Sequence, residues 1–179
     1  MKVLITGGAG FIGSSTALKL KAKGYDVVVL DSLSEQVHGT NPEETSPLYR
    51  SIKDEVHFIQ GSVTSRDDLE KALADVDAVI HLAAETGTGQ SMYDIEKYVE
   101  SNIRGTALLL DILTNQPHHV KRVVVAESRA IYGEGKYLCS TCGEVYPLAR
   151  RAEDMACGNF ECRCPKCGRE VQLVATTED

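Results

Sequence analysis

Residues Thr6–Gly13, TGGAGFIG, decide how the rest of the chain is read. The run before them, Lys2–Thr6 (KVLIT), has the length and β-branched content of a buried strand. The residues after them, from Phe11 to about Lys23, form a helical pattern, and Gly24 stands where a left-handed C-cap is wanted. Gly7, Gly10 and Gly13 are therefore spaced G-x-x-G-x-x-G between a strand and a helix. Such a turn supplies positive φ without steric cost and lets an anion reach the backbone amides at the positive end of the helix. Glycines here could also serve only to bring helix and strand together. Asp31 favours the anion-binding turn, because it ends the next apolar run, Asp26–Leu30 (DVVVL).

Outward from this unit, strand and helix patterns alternate. Ser32–Ser51 is a polar stretch with two prolines and no period, read as a loop. Glu55–Ile59 is a third strand. Ser65, with Asp68 three residues on, resembles a capping box and opens a helix to about Ala74. Asp77–His81 (DAVIH) is a fourth strand, Gln90–Asn115 is mostly helical with a break near Ser101, and Arg122–Ala126 (RVVVA) is a fifth strand. Alternation of this kind demands right-handed crossovers and a parallel sheet covered on both faces. The expected fold is α/β, a Rossmann-type doubly wound sheet.

Composition excludes several functions. The net charge of −7 argues against broad electrostatic binding of nucleic acid. No stretch reaches the roughly 18 consecutive apolar residues of a membrane helix, and MKVLI at the start is too short for a signal peptide. All six cysteines lie between Cys139 and Cys167. A disulfide framework would spread them through the fold, so this cluster points to a metal site in a reducing compartment. The expectation is a cytoplasmic protein without nucleic-acid or membrane partners.

After Gly133 the long periods give way to glycines, cysteines and scattered charges. The expected division is a nucleotide-binding domain over 1–135, a cysteine-rich module over 136–175 and a tail over 176–179. Cys139-x-x-Cys142 and Cys164-x-x-Cys167, with Gly143 and Gly168 after each second cysteine, make a zinc-ribbon-like signature in which four thiolates close a structural site. A disulfide or redox pair and free thiols are the other readings. Cys157 and Cys162 are left over, and Cys162 competes with Cys164 as a ligand.

The carboxylate of Asp31 can accept hydrogen bonds from both hydroxyls of an adenosine ribose, and it would repel a 2′-phosphate. No Lys or Arg occurs between Asp31 and Arg50 to neutralise such a phosphate, which favours NAD over NADP. A solvated strand end is the other reading of Asp31.

TGGAGFIG, Asp31, HLAA (His81–Ala84), SNIRGT (Ser101–Thr106) and VVVAESRAIYGEG (Val123–Gly135) together resemble the extended short-chain dehydrogenase/reductase family, and within it the NAD-dependent nucleotide-sugar epimerases and dehydratases. SRAIYGEGKY with the cysteine-bearing insert resembles 4-epimerases of the dTDP-L-rhamnose type. The resemblance implies that Gly7, Gly10, Phe11, Ile12 and Gly13 cradle a pyrophosphate, and that Asp31, Ser32 and Leu33 flank the adenosine ribose. It implies that Ser62 and Val63 edge the adenine, with Ser62 standing where the family usually has Asp. Leu82, Ala83 and Ala84 would line the cofactor groove, with Thr86 near the nicotinamide ribose. Asn102 would brace the sheet through backbone bonds, unless it is a plain polar helix residue. Ser128 falls at the catalytic Ser/Thr. Arg129 and Ala130 follow it where the dehydratase branch carries an acidic pair, which resembles an epimerase. A nucleotide-sugar substrate and a homodimer complete what the family implies.

The same resemblance demands a Tyr-x-x-x-Lys pair on one helical face. Tyr132 and Lys136 have the spacing but enclose two glycines and follow Ser128 too soon. Tyr93 and Lys97 precede the serine, within the previous crossover. The pair is therefore expected beyond Asp179, in which case the chain is the N-terminal part of an epimerase with little turnover of its own. The competing expectations are a non-catalytic NAD-responsive module that uses its ribbon for partner contact, and a reductase or dehydratase of the same superfamily.

Overall fold

A computed structural model describes residues 1–177. The chain divides into two compact units, Met1–Ala126 and a second that begins at Glu127. The change of composition near Lys136 lies inside the second.

In the first unit β1 (Lys2–Thr6), β2 (Asp26–Asp31), β3 (His57–Gln60), β4 (Ala78–His81) and β5 (Arg122–Val125) form one parallel sheet in the order β3-β2-β1-β4-β5. Side chains alternate across a strand, and because both alternations here are apolar each face carries a core. Leu4, Val28, Leu30 and Val79 bury one face against Leu69, Ala72 and Leu73 of α5 (Arg66–Leu73) and Leu109 and Ile112 of α7 (Gly105–Asn115). Ile5, Val27 and Val29 bury the other against Ala17 of α1 (Phe11–Ala22) and Ile52. This is the expected doubly wound sheet. The chain order reverses between β1 and β4, so their C-terminal ends open on the crevice where such sheets bind ligands. Gly24 takes φ +82° and its N–H donates to the Lys21 carbonyl, closing α1 as read from the sequence.

Three expectations need correction. The stretch 32–51 is not a plain loop. It holds α2 (Glu35–His38) and α3 (Pro42–Thr45) and most of α4 (Pro47–Ile52). Prolines open α3 and α4 at their first turns, where no N–H is needed, and the Ser46 side chain accepts from the Tyr49 N–H. Helices of four to six residues are too short to display an apolar period, so packing of His38 and Ile52 rather than pattern forms them. The break near Ser101 is no interruption either. After a 3₁₀ turn (Gln90–Met92) and α6 (Ile95–Tyr98), Val99–Arg104 runs in π-helical bonding straight into α7. In addition β3 starts later than read, because the N–H groups of Glu55 and Val56 are tied to the Ile52 carbonyl.

The second unit contains an antiparallel sheet β7-β6-β8, from β6 (Tyr137–Cys139), β7 (Gly143–Val145) and β8 (Gln172–Leu173), with α8 (Ala152–Ala156) between the last two. Its core cluster, among the described residues, holds Cys139, Val145 and Cys164, with Tyr137, Cys142 and Val171 packed against them. No helix among the described residues is long and apolar enough to cross a membrane.

Leu109 of α7 is fully buried in the cluster it shares with β4 and α5. Leu109→Ala should cost about 2–5 kcal/mol, read as a lower urea midpoint with an unchanged slope in the transition of the first unit.

Candidate functional site

The glycine turn follows β1 directly. Gly7 takes φ +68°, and a Cβ there would come within 2.7–2.9 Å of the backbone of Leu82 and Ala83. Gly13 lies against the turn itself, where a Cβ would sit 2.4 Å from the Gly7 carbonyl oxygen. Of the three glycines only Gly7 needs its positive φ; Gly13 is required for close approach, and at Gly10 a Cβ would be tight, 3.2 Å from the Gly7 carbonyl oxygen. Gly8, which the sequence reading passed over, meets the Val29 side chain at 2.6 Å in the same sense. Gly10 is the N-cap of α1, and the first intrahelical donor is Ser14 to the Gly10 carbonyl at 2.9 Å. The amides of Phe11, Ile12 and Gly13 thus occupy the helix turn whose N–H groups have no intrahelical acceptor. The side chains of Phe11 and Ile12 point to solvent.

Asp31 ends β2 beside this turn. Its carboxylate accepts from Ala9 N–H and from Leu33 N–H, both at 2.9 Å. Each carboxylate oxygen keeps a further lone pair for a ligand hydroxyl. Leu33 is buried at φ +53°, an unusual conformation for leucine that its bond to Asp31 helps hold. Ser32 is exposed. His38, also missed from sequence, is buried with Nδ1 2.8 Å from Ser46 Oγ and Nε2 3.8 Å from Asp31 Oδ1. At the end of β3, Ser62 N–H donates to the Asp68 carboxylate at 2.9 Å, and its Oγ lies 2.8 Å from Thr64 Oγ1. Val63 is buried, and a Cβ on Gly105 would lie 2.7 Å from its side chain, so that glycine seats the start of α7.

Leu82, Ala83, Ala84 and Thr86 form the segment leaving β4. Leu82 N–H donates to the Thr6 carbonyl at 3.1 Å and Ala83 N–H to Thr6 Oγ1 at 3.3 Å. Asn102, in the π-helical segment, holds the same stretch with both ends of its amide, accepting from Glu85 N–H at 2.8 Å and donating to the Glu85 carbonyl at 3.0 Å. It therefore positions the segment through backbone bonds.

His81 completes this framework. Thr106 Oγ1 donates to the Asn102 carbonyl at 2.8 Å and lies 3.0 Å from His81 Nε2, so Nε2 carries the proton it shares. Nδ1 then accepts from Thr6 Oγ1 at 2.7 Å. The network fits a neutral ring in the Nε2–H tautomer, and burial pushes the imidazole below its ordinary value of 6.5. Ala84 and Thr86 stay exposed at the crevice.

Ser128 belongs to the second unit, where its Oγ accepts from Ala130 N–H at 3.2 Å and caps a 3₁₀ turn, Arg129–Tyr132. Tyr132 ends that turn and Lys136 lies just before β6, with positive φ at Gly133 and Gly135 between them, so no shared helical face exists. Tyr93 follows the 3₁₀ turn while Lys97 sits in α6, paired with Glu85 at 3.1 Å. Neither pair has the required arrangement.

The four cysteines of the two Cys-x-x-Cys turns converge, with Cys139, Cys142, Cys164 and Cys167 Sγ atoms all within 4.8 Å of one another. The backbone N–H groups of Thr141 and Cys142 hold the Cys139 thiol down to about 6. Cys142, hydrogen-bonded to Cys167, is pushed up to about 12. Cys162 turns elsewhere. Its thiol donates to Glu134 at 3.7 Å, and that carboxylate also takes Arg150 Nε at 3.1 Å.

The first unit thus offers a backbone cradle, a carboxylate acceptor and the small residues Ala83 and Ala84 after β4, which fit a dinucleotide. The model of the NAD-dependent epimerase/dehydratase family matches residues 3–160. The chain belongs to that family. Among its relatives, dTDP-L-rhamnose 4-epimerase of Burkholderia thailandensis is 34% identical over 83% of this chain and 40% of that protein. A solved UDP-glucuronic acid 4-epimerase of Bacillus cereus, in complex with UDP-glucuronic acid and NAD, is 32% identical with a TM-score of 0.65, over 79% of this chain and 44% of that one. A dTDP-glucose 4,6-dehydratase of Streptomyces venezuelae with NAD bound is 32% identical with a TM-score of 0.57, over 69% and 38%. The chain spans less than half the length of these relatives.

Two measurements check this geometry. The unfolded chain takes a proton on His81 near the ordinary value while the folded chain resists it. The stability tied to His81 is therefore intact above about pH 6.5 and falls as the pH drops below it. His81→Gln should flatten that part of a urea-midpoint profile against pH. Asp31→Ala removes the acceptor at the end of β2 and, on the cofactor reading proposed below, should weaken NAD binding by about 1.5–3 kcal/mol, roughly ten- to a hundredfold in Kd by calorimetry.

Proposed function

We propose that this chain is the NAD-holding portion of a nucleotide-sugar 4-epimerase. The observation that supports it most directly is the packing of Gly7 against the segment leaving β4, with Asp31 at the adjacent strand end. The amides of Gly10–Gly13 would face the pyrophosphate, and Asp31, with Ser32 and Leu33, would receive the adenosine ribose. Ser62 and Val63 would border the adenine. Leu82, Ala83, Ala84 and Thr86 would line the nicotinamide side, held by Asn102. Bound NAD supplies a hydride acceptor and donor for the sugar carbon. Ser128 would hydrogen-bond the reacting sugar hydroxyl. Its neighbours Arg129 and Ala130 offer no acid for elimination of water, which favours inversion at C4 over dehydration. Asp31, with no Lys or Arg before Arg50, favours NAD over NADP. Zinc enters only as a structural ion of the second unit, and a homodimer follows from the family reading.

A dehydratase is the second reading, supported by the likeness to the Streptomyces venezuelae enzyme. Calorimetry with NAD and NADP on the chain should give binding to NAD alone, and absence of dinucleotide binding would sink the proposal. A protein of the relatives' full length that contains this chain, incubated with dTDP- and UDP-hexoses, should return C4 epimers, lost in Ser128→Ala. A 4-keto-6-deoxy product would select the dehydratase reading.

A further inference from the structure

We propose that Cys139, Cys142, Cys164 and Cys167 form a closed tetrathiolate zinc site, that Cys157 and Cys162 stand outside it, and that the ion folds the second unit. This rests on the zinc reading above and gives it a ligand set and a role.

The geometry of the four sulfurs comes first. They lie within 4.8 Å of one another, and Cys139 and Cys167 Sγ are 3.6 Å apart. A tetrahedral ion with Zn–S of about 2.3 Å sets its sulfurs about 3.8 Å apart, so the observed spacing is that of a ligand cage. All six cysteines are free thiols. Coordination takes a proton from each of the four thiols to solvent and needs no oxidant.

The backbone around the cage repeats. In the first turn Gly143 follows the second cysteine at φ +75°. In the second, Gly168 follows at φ +72°, its N–H donates to the Cys164 carbonyl at 2.9 Å, and Cys164 N–H donates to the Arg169 carbonyl at 2.8 Å. The first turn joins β6 to β7, and the second is closed by a bridge between Arg163 and Glu170. An ion in the cage would tie together two turns far apart in sequence.

The separation from the other cysteines is equally plain. Cys162, two residues from Cys164, is buried with its thiol donating to Glu134 at 3.7 Å. Arg150 completes that cluster. Cys157 is exposed beyond α8. These surroundings favour Cys164 over Cys162 as the ligand, in the same direction as the poorer spacing of Cys162.

The role follows from how little else holds the unit. Apart from Cys139 and Cys164, its core cluster has Val145 as its one buried member. A core of that size falls short of the ordering entropy of some fifty residues, and metal ligation is the usual supplement.

The test uses the full chain, purified without chelator, with zinc per chain measured by plasma mass spectrometry. One zinc per chain is expected in the wild type and in the Cys157→Ser/Cys162→Ser double variant, and loss of zinc in Cys139→Ser and Cys164→Ser. Cobalt added to metal-free protein should give the ligand-field bands of a tetrahedral tetrathiolate, unchanged in the double variant. Chelation should abolish amide-exchange protection in β6–β8. Absence of zinc, iron in its place, or disulfides in the intact mass would overturn zinc itself. Zinc kept in Cys164→Ser and lost in Cys162→Ser would overturn the ligand set, and protection surviving chelation would overturn the role. NAD titration of the same samples reports on the first unit, so a failure there counts against the cofactor reading alone.

Discussion

The closeness of two backbones governs the first unit. Gly7 lies so near Leu82 and Ala83 that no side chain fits between them, and this contact sets the turn after β1 against the segment after β4. Around it, hydrogen bonds pass from Ala83 to Thr6, from Thr6 to His81, from His81 to Thr106 and from Thr106 to the Asn102 carbonyl. Asn102 in turn clasps Glu85. One chain of neutral donors and acceptors thus locks β1, β4 and α7 into a single frame. A buried protonated imidazole would break it, since Nδ1 would lose its role as acceptor.

Asp31 plays the matching part at the other side of the turn. Its carboxylate ties down Ala9 and the Leu33 backbone before any ligand is considered. The residue proposed to read the adenosine ribose is therefore also a structural part of the cradle. Such preorganisation lowers the ordering cost of binding. It also means that substituting Asp31 disturbs more than one ligand contact.

The second unit is built on a different balance. The first unit buries two apolar faces of a five-stranded sheet, whereas the second gathers four sulfurs where a core would be. Polar bonds around Glu134, Arg150 and Cys162 add local order beside that cluster. Charged pairs of this kind at an exposed surface contribute about 0–1 kcal/mol each, which leaves the cysteine cluster as the dominant constraint.

Sequence by itself determined the elements whose signals are local. The five strands, α1 with its Gly24 cap, the Ser65 cap of α5 and the cysteine spacing were all legible, because apolar alternation, glycine and capping chemistry act within a few residues. The glycine turn was legible too, although not the division of labour in which only Gly7 needs positive φ. Tertiary structure alone decided the rest. The short helices over 35–52 depend on buried His38, Ser46 and Ile52, and the π-helical run at Asn102 depends on partners far away in sequence. His81 reads as the end of a strand until Thr6 and Thr106 are found on its two nitrogens. Spacing ranks Cys162 below Cys164 only weakly, and the packing adds that Cys162 meets Glu134 while Cys164 lies among the other three sulfurs. The common reason is physical: a pattern along the chain fixes which residues face inward, while the partner each one meets is set by how the elements pack.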